Sequence, residues 1–322
     1  MTNGADPTLG ELGEFTVIDS LVAGRRLPDS VLIGPGDDAA LLAVPDGRVL
    51  VSTDMLVEGR HFRLDWSSPH QIGRKAIAQN AADIEAMGGR ATGFVVAFGA
   101  PAATSARLVG ELSAGMWDEA DRSGGAGIIG GDLVSSPMWV ISVTVLGDLD
   151  GGSAVGRDGA RPGSTIAVAG HLGLSAAGYA LLSTGLDDGK TFGDIRDRHC
   201  VPEPPYGQGR AAAAAGATAM TDVSDGLVAD LRHIARASGT AVELSTDLLG
   251  DDLAVLADVA ARLGADPWSW ILGGGEDHAL VACFPDALPS GWRAIGRVVD
   301  GPPAVRVDGA DWTGYAGWES FN

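Results

Sequence analysis

Lysine is almost missing from this chain: only Lys75 and Lys190 occur in 322 residues. Basic residues of either kind are scarce, 22 Lys+Arg against 42 Asp+Glu, and the net charge is −20. So acidic a surface repels phosphate backbones, which excludes DNA or RNA as the main partner. It also excludes a polybasic attachment to a lipid surface. Any polyphosphate bound here must be neutralised mainly by Arg or by metal cations. Cysteine is scarce too, with Cys200 and Cys283 alone. Two cysteines build no disulfide framework, and their spacing matches no zinc motif. They read as reduced thiols of a cytosolic protein. The N-terminal stretch Met1-Thr-Asn-Gly-Ala-Asp-Pro lacks the basic and apolar segments of a signal peptide. No apolar run reaches the roughly 20 residues that span a bilayer. A soluble cytoplasmic protein with no membrane partner is expected.

What is present is ample apolar material: 45% of residues are hydrophobic and 20% are charged. That balance supports a sizeable core and rules out a mainly disordered chain. The length fits about two domains of roughly 150 residues each. Helices are expected over 10–26, 69–87, 104–122, 172–184, 209–215 and 227–237, from apolar spacing and from Pro and Gly at their ends. Strands are expected at 31–33, 39–44, 48–53, 94–98, 139–146, 165–169, 278–284 and 294–299. Gly147-Asp-Leu-Asp-Gly-Gly152 is the best linker, so we expect an N-terminal domain over 1–148 and a C-terminal domain over 149–322. Neither half alternates strand and helix regularly. An α+β arrangement is therefore favoured over a Rossmann sheet.

Two glycine-rich stretches imitate nucleotide motifs. Gly185-Leu-Asp-Asp-Gly-Lys190-Thr191 has three residues between its glycines where a P-loop has four, and two acids stand where backbone amides should cradle phosphate. Gly34-x-Gly36-x-x-Ala39 follows a strand, but Asp37 and Asp38 would repel a pyrophosphate, and a strand follows instead of a helix.

The informative pattern is acidic. Asp37 and Asp38, Asp54 and Asp132 stand at the expected ends of apolar strands in small-residue loops, while Asp222 and Asp225 precede a helix. Asp83 shares a helix face with Ala76, Asn80 and Met87, so it should point inward. Any one of these acids could be a turn or cap residue. Several converging on one cleft would repel one another, and Mg²⁺ resolves such repulsion by bridging carboxylates to substrate phosphates. The glycine runs at Gly34-Pro-Gly36, Gly130-Gly131 and Gly273-Gly-Gly275 let backbone approach an anion, and Arg157 is a candidate phosphate clamp. No Ser/His/Asp or Cys/His nucleophile set is apparent.

In chain order stand Gly13-Glu-Phe15, Gly34-x-Gly-Asp-Asp-Ala39, Ser52-Thr-Asp54, Glu58-Gly-Arg-His-Phe62, Asn80-x-x-Asp83 with Ala86-Met-Gly88, Gly130-Gly-Asp132, Asp222-x-Ser-Asp-Gly226 and Gly274-Gly-Glu-Asp277. From about Gly13 to Trp318 the chain resembles the thiamine-monophosphate kinase family, of the aminoimidazole ribonucleotide synthetase-like superfamily. The resemblance implies a two-domain α+β fold, a homodimer whose N-terminal sheets join in a barrel, and ATP-dependent phosphorylation of thiamine monophosphate to thiamine diphosphate with several Mg²⁺ ions. It places metal ligands on Asp38, Ser52, Thr53, Asp54, Asp83, Asp132, Asp222 and Asp225. Nucleotide contacts fall on Gly131, Asp132, Arg157 and Ser224. Substrate contacts fall on His61, Glu276 and a C-terminal aromatic, Trp318 or, in another register, Tyr315. No general base is implied, because the acceptor phosphate is already ionised near neutral pH. Two other readings remain open: a cyclo-ligase or dehydratase of the same superfamily, and a nucleotide-binding relative without turnover.

Overall fold

The computed structural model describes residues 6–35, 39–186, 190–314 and 317. Two units emerge, one from Met1–Ile84 with Arg90–Asp150, the other from Glu85–Gly89 with Gly151–Asn322.

The first unit begins with helices α1 (Leu9–Leu12) and α2 (Glu14–Val22). One continuous helix is expected there from sequence. Gly13 divides it, because its φ of 78° is outside the helical region. Among the described residues, strands β1 (Val31–Ile33) and β2 (Leu41–Leu42) pair only with each other. The main sheet is built from β3 (Leu50–Val57), β4 (Arg90–Ala100), β5 (Gly127–Ser135) and β6 (Val140–Asp148), in the order β3-β6-β4-β5. Helix α3 (Pro69–Ala86) follows β3, and α4 (Ala106–Arg122) links the parallel pair β4 and β5.

Strand β3 runs past the expected 48–53, and β5 continues through Asp132 to Ser135. Asp54 and Asp132 therefore lie inside strands, where they had been expected at strand ends. Alternation then assigns each side chain a face. Ser52, Asp54 and Leu56 stand opposite the buried Val145, Val143 and Ile141. Val51, Thr53 and Met55 face the other way, and Val51 and Met55 are exposed.

The two long helices meet through glycine. A methyl group on Gly73 would lie 2.0 Å from the Leu112 carbonyl oxygen, and one on Gly115 would lie 1.9 Å from that of His70. Neither distance is sterically possible, so the backbones touch only because both residues lack a side chain. Arg74 then reaches the buried Glu119 at 2.7 Å across the same contact.

The second unit has a seven-stranded sheet, ordered β13-β12-β9-β11-β7-β10-β8. Its strands are β7 (Thr165–Ala169), β8 (Ala219–Asp222), β9 (Ala241–Leu244), β10 (Leu280–Phe284), β11 (Arg293–Val299), β12 (Ala304–Val307) and β13 (Ala310–Asp311). The helices are α5 (Leu174–Thr184), α6 (Gly193–Cys200), α7 (Gln208–Ala214), α8 (Leu227–Ser238), α9 (Gly250–Leu263) and α10 (Pro267–Gly273). All pairings in this sheet are antiparallel except β9 with β12. Both faces of its centre are buried, which explains why Leu280–Phe284 is apolar throughout. Val281 and Cys283 join the core under α5, α8, α9 and α10. Leu280, Ala282 and Phe284 join the opposite core, where the alanines of α7 pack. The result is a mixed α/β protein with predominantly antiparallel sheets, in agreement with the α+β expectation. Neither cysteine is in a disulfide, and burial pushes the Cys283 thiol up to about 12.

Gly73→Ala and Gly115→Ala should each destabilise the first unit by about 1–3 kcal/mol, the cost of overpacking a close contact. Urea denaturation followed by tryptophan fluorescence measures this. Parental stability in both variants would contradict the close approach.

Candidate active site

In the first unit, β3 and α3 bring three of the expected residues together. Ser52 Oγ donates to Asp83 Oδ2 at 2.6 Å. The Asp54 backbone N–H donates to Asn80 Oδ1 at 3.2 Å, while Asn80 Nδ2 donates to the Ala76 carbonyl. Helical spacing does turn Ala76, Asn80 and Asp83 toward the sheet. Thr53 is on the opposite face, where its hydroxyl donates to the Val143 carbonyl at 3.0 Å. Asp132 is not brought to the Ser52–Asp83 group. It pairs with Ala97 in the row of Met55 and Ser142, on the other face of the sheet, and is exposed. Gly131 has a structural reason to be glycine: a methyl group there would lie 2.1 Å from the Val96 carbonyl oxygen. Gly130 has open space around it.

His61 sits in a tight loop after β3. The Val57 N–H donates to its Nδ1 at 3.0 Å. A ring nitrogen that accepts carries no proton, so the neutral imidazole holds its hydrogen on Nε2.

In the second unit, Asp222, Ser224, Asp225, Arg157 and Glu276 gather around two loops that interlock through their backbones. Glu276 N–H donates to the Ser224 carbonyl at 2.8 Å, and His278 N–H to that of Val223 at 3.0 Å. Contact this close again requires glycine. A methyl group on Gly275 would lie 2.3 Å from the Ser224 carbonyl oxygen, and one on Gly226 would lie 2.6 Å from that of Gly273. Glu276 and His278 take φ of 64° and 53°. Each such residue stores about 1–3 kcal/mol of backbone strain, held in place by the surrounding bonds. Arg157 Nε donates to Thr221 Oγ1 at 3.3 Å, next to Asp222.

Three further residues belong to this corner and were not expected from sequence. Asp230 Oδ2 accepts the N–H groups of Ser224, Asp225 and Gly226, each at 3.1 Å, and so ties the loop to α8. Burial first, then the charges of Asp222 and Asp225, push the Asp230 carboxyl up to about 7. The Asp225 carboxyl is raised by the same causes, burial and then Asp222. His278 Nδ1 lies 3.0 Å from Asp222 Oδ2. Asp277 accepts from Gly173 N–H at 2.6 Å and Ser175 N–H at 2.8 Å, and so caps α5 from across the fold. Burial pushes the Asp277 carboxyl up to about 7. An acid in the first turn of α8, as Asp230 is, is the signal that could have marked it as a loop cap; nothing local in the sequence signals Asp277 as a cap for a distant helix.

Asp38, Trp318 and Tyr315 lie outside the described residues. Among the described residues, no group of three or more His, Cys, Asp or Glu is assembled to hold a metal ion. The donors that do meet are hydroxyl and carboxylate oxygens, the chemistry Mg²⁺ takes. Mg²⁺ commonly uses one or two carboxylates and completes its shell with substrate phosphates and water. The residues present therefore fit Mg²⁺ as a partner of bound phosphate.

The AIR synthase related protein family models match both parts of the chain, the N-terminal domain over 36–149 and the C-terminal domain over 161–307. The thiamine-monophosphate kinase of Mycobacterium tuberculosis (strain H37Rv) is 64% identical over 98% of this chain and 93% of its own length. The chain belongs to the thiamine-monophosphate kinase family. The kinase of Corynebacterium glutamicum is 45% identical over 98% of this chain and 95% of its own length. Among solved structures, AaThiL complexed with AMPPCP and TMP superposes with a TM-score of 0.78 at 30% identity, covering 99% of this chain and 100% of that one. The kinase family thus carries the two-domain AIR synthase-like fold, as the motif series implies.

The raised carboxyl of Asp277 gives a pH test. Its folded value, about 7, is above the ordinary 3.8. The native state therefore holds a proton that the unfolded state releases. Its contribution to stability is greatest below about pH 4 and is lost as pH rises to about 7. Asp277→Asn removes this titration. The stability difference between parent and variant, from urea unfolding, should shift steadily in favour of the variant from pH 5 to 7 and level off above pH 8. A difference independent of pH would contradict the assignment.

Proposed function

We propose that the chain transfers the γ-phosphoryl group of ATP to the phosphate of thiamine monophosphate, giving thiamine diphosphate and ADP. The observation that carries this reading is near-full-length identity to kinases of that name, joined to a shared fold with a ThiL bound to both an ATP analogue and TMP. The motif residues fit the chemistry. Phosphoryl transfer asks for alignment and charge neutralisation more than for covalent help from the protein. The acceptor is a phosphate oxygen, ionised near neutral pH, so a general base is unnecessary.

In this reading Asp38, Ser52, Thr53, Asp54, Asp83, Asp132, Asp222 and Asp225 supply oxygens to Mg²⁺. When bound, Mg²⁺ neutralises the charge of the two reactants and permits their approach. Gly131, Asp132, Arg157 and Ser224 bind the nucleotide. His61 donates from Nε2 to the acceptor phosphate. Glu276 and Trp318 bind the thiamine moiety, the aromatic by stacking on a cationic or heteroaromatic ring. Thr53 would take part through its backbone oxygen, since its hydroxyl and that of Ser52 are on opposite faces.

We also infer a homodimer. Its support is the face of the first sheet that carries Val51, Met55, Val95 and Val134, all exposed. Apolar side chains grouped on an open sheet face favour a second protein surface over water. The setting we infer is the cytoplasm. No helix among the described residues is long and apolar enough to cross a membrane, and the two cysteines are buried thiols.

The test is ADP release and product analysis with thiamine monophosphate, free thiamine and an aminoimidazole ribonucleotide precursor as acceptors. Thiamine diphosphate should form from the first alone. Release of inorganic phosphate without a phosphorylated acceptor would point to the cyclo-ligase chemistry instead. Asp54→Asn should lower turnover at least about a hundredfold, the scale of losing one preorganised electrostatic contact. Its thermal stability without Mg²⁺ should equal or exceed the parent's, because one of a group of like charges is gone. Parental turnover in that variant would remove Asp54 from the site.

A further inference from the structure

Lys75 is one of only two lysines in the chain, and its side chain is 2% exposed within α3. Burying an ammonium group is costly, and an apolar residue of similar volume is often as stable or more so. A protein so poor in lysine has a use for this charge where it lies. Its Nζ donates to the His61 carbonyl at 3.0 Å.

The loop so gripped is also bonded through its own backbone and to its neighbours. His61 N–H and Arg60 N–H both donate to the Val57 carbonyl at 3.0 Å, and Gly59 N–H donates to that of Phe62 at 2.8 Å. Gly59 has a φ of 79°, which closes the turn. Glu58 is held from both ends: its N–H donates to the Trp139 carbonyl, and its carboxylate accepts the Trp139 N–H, each at 3.0 Å. Phe62 and Trp139 are buried, and Trp139 meets Phe98 edge to face at 5.2 Å. Within this frame, the Val57 N–H can reach His61 Nδ1 only if the His61 backbone stays in place.

We propose that Lys75 is a positioning residue for the acceptor phosphate: through the His61 carbonyl it holds the His61 ring as a neutral Nε2–H donor, and it sets a fixed positive charge behind that donor. The inference rests on the reading of His61 as a contact to the acceptor phosphate. The charge acts through a low-dielectric interior, where water screens it little.

The experiment compares the parent with Lys75→Met, Lys75→Gln, His61→Ala and the double variant Lys75→Met/His61→Ala. The readouts are steady-state kinetics for both substrates, thermal unfolding, and ¹⁵N NMR of the imidazole. Lys75→Met should fold with equal or higher Tm. Its kcat/KM for thiamine monophosphate should fall about tenfold, the scale of one hydrogen bond to a charged group, while KM for ATP is unchanged. The His61 ring should lose its pure Nε2–H signature and show both tautomers. Adding Lys75→Met to His61→Ala should cost nothing further, because the lysine acts through the histidine.

Several results overturn the proposal. One is parental kcat/KM in Lys75→Met while His61→Ala is impaired; the substrate reading of His61 then survives and the lysine has no part in it. Losses that multiply in the double variant, or an unchanged tautomer, do the same. Failure of both lysine variants to fold makes Lys75 structural. Parental activity in His61→Ala removes His61 from the substrate site, and the inference falls with that reading.

Discussion

Carboxylates of one sign, fixed in place by backbone that cannot retreat, need neutralisation from outside the chain. That constraint underlies the proposed function. Asp222 and Asp225 stand on a loop whose neighbours are bonded to another loop on one side and to Asp230 on the other. Glycines at 226 and 275 exist so that this contact can be made at all. The loop cannot relax its charges apart without breaking the contact. The same holds for Asp54 and Asp83, one on a central stretch of strand, the other on a helix locked to its neighbour through Gly73 and Gly115. In the proposed reading, cations brought in with phosphate neutralise these charges.

Three of the buried acids are set apart by what they accept. Asp230, Asp277 and Glu85 gather main-chain N–H groups: Asp230 those of its own loop, Asp277 those at the start of α5, and Glu85 those of Gly207 and Gly209. These carboxylates are mechanical. They position segments and have their charge partly met by backbone dipoles. Asp83 and Asp222 instead meet side chains, the Ser52 hydroxyl at 2.6 Å and the His278 ring at 3.0 Å. The division follows from each carboxylate's donors and not from its burial alone.

Much of this was legible in the sequence. Helix α3 announced itself by Pro69 at its start and Gly88-Gly89 after its end, and its period placed Asn80 and Asp83 inward. The apolar run Leu280–Phe284 read as a strand because alternation is unnecessary when both faces are buried. Where the reading stopped short, the cause is physical. Asp54 and Asp132 look like strand ends because carboxylates are rare inside strands, yet β3 and β5 continue through them. Gly13 looks tolerable within a helix but takes a conformation that ends one. Helix α9 has a clear apolar period and Gly264 as its stop, yet it is not among the elements expected from sequence. Asp277 could not be read at all as a cap for α5, because its partners lie about a hundred residues away in sequence. Which acids share a face was the least legible feature: the register separates Asp132 from Ser52 and Asp54, although all are small-residue strand positions of the same appearance.

Calorimetric titration of the full chain with a nonhydrolysable ATP analogue, in Mg²⁺ and in EDTA, measures the constraint directly. If these carboxylates accept phosphate only through a bridging cation, affinity in EDTA should be at least about tenfold weaker. Equal affinity with and without the metal would show that the acids do not need it, and would contradict the assignment of the site.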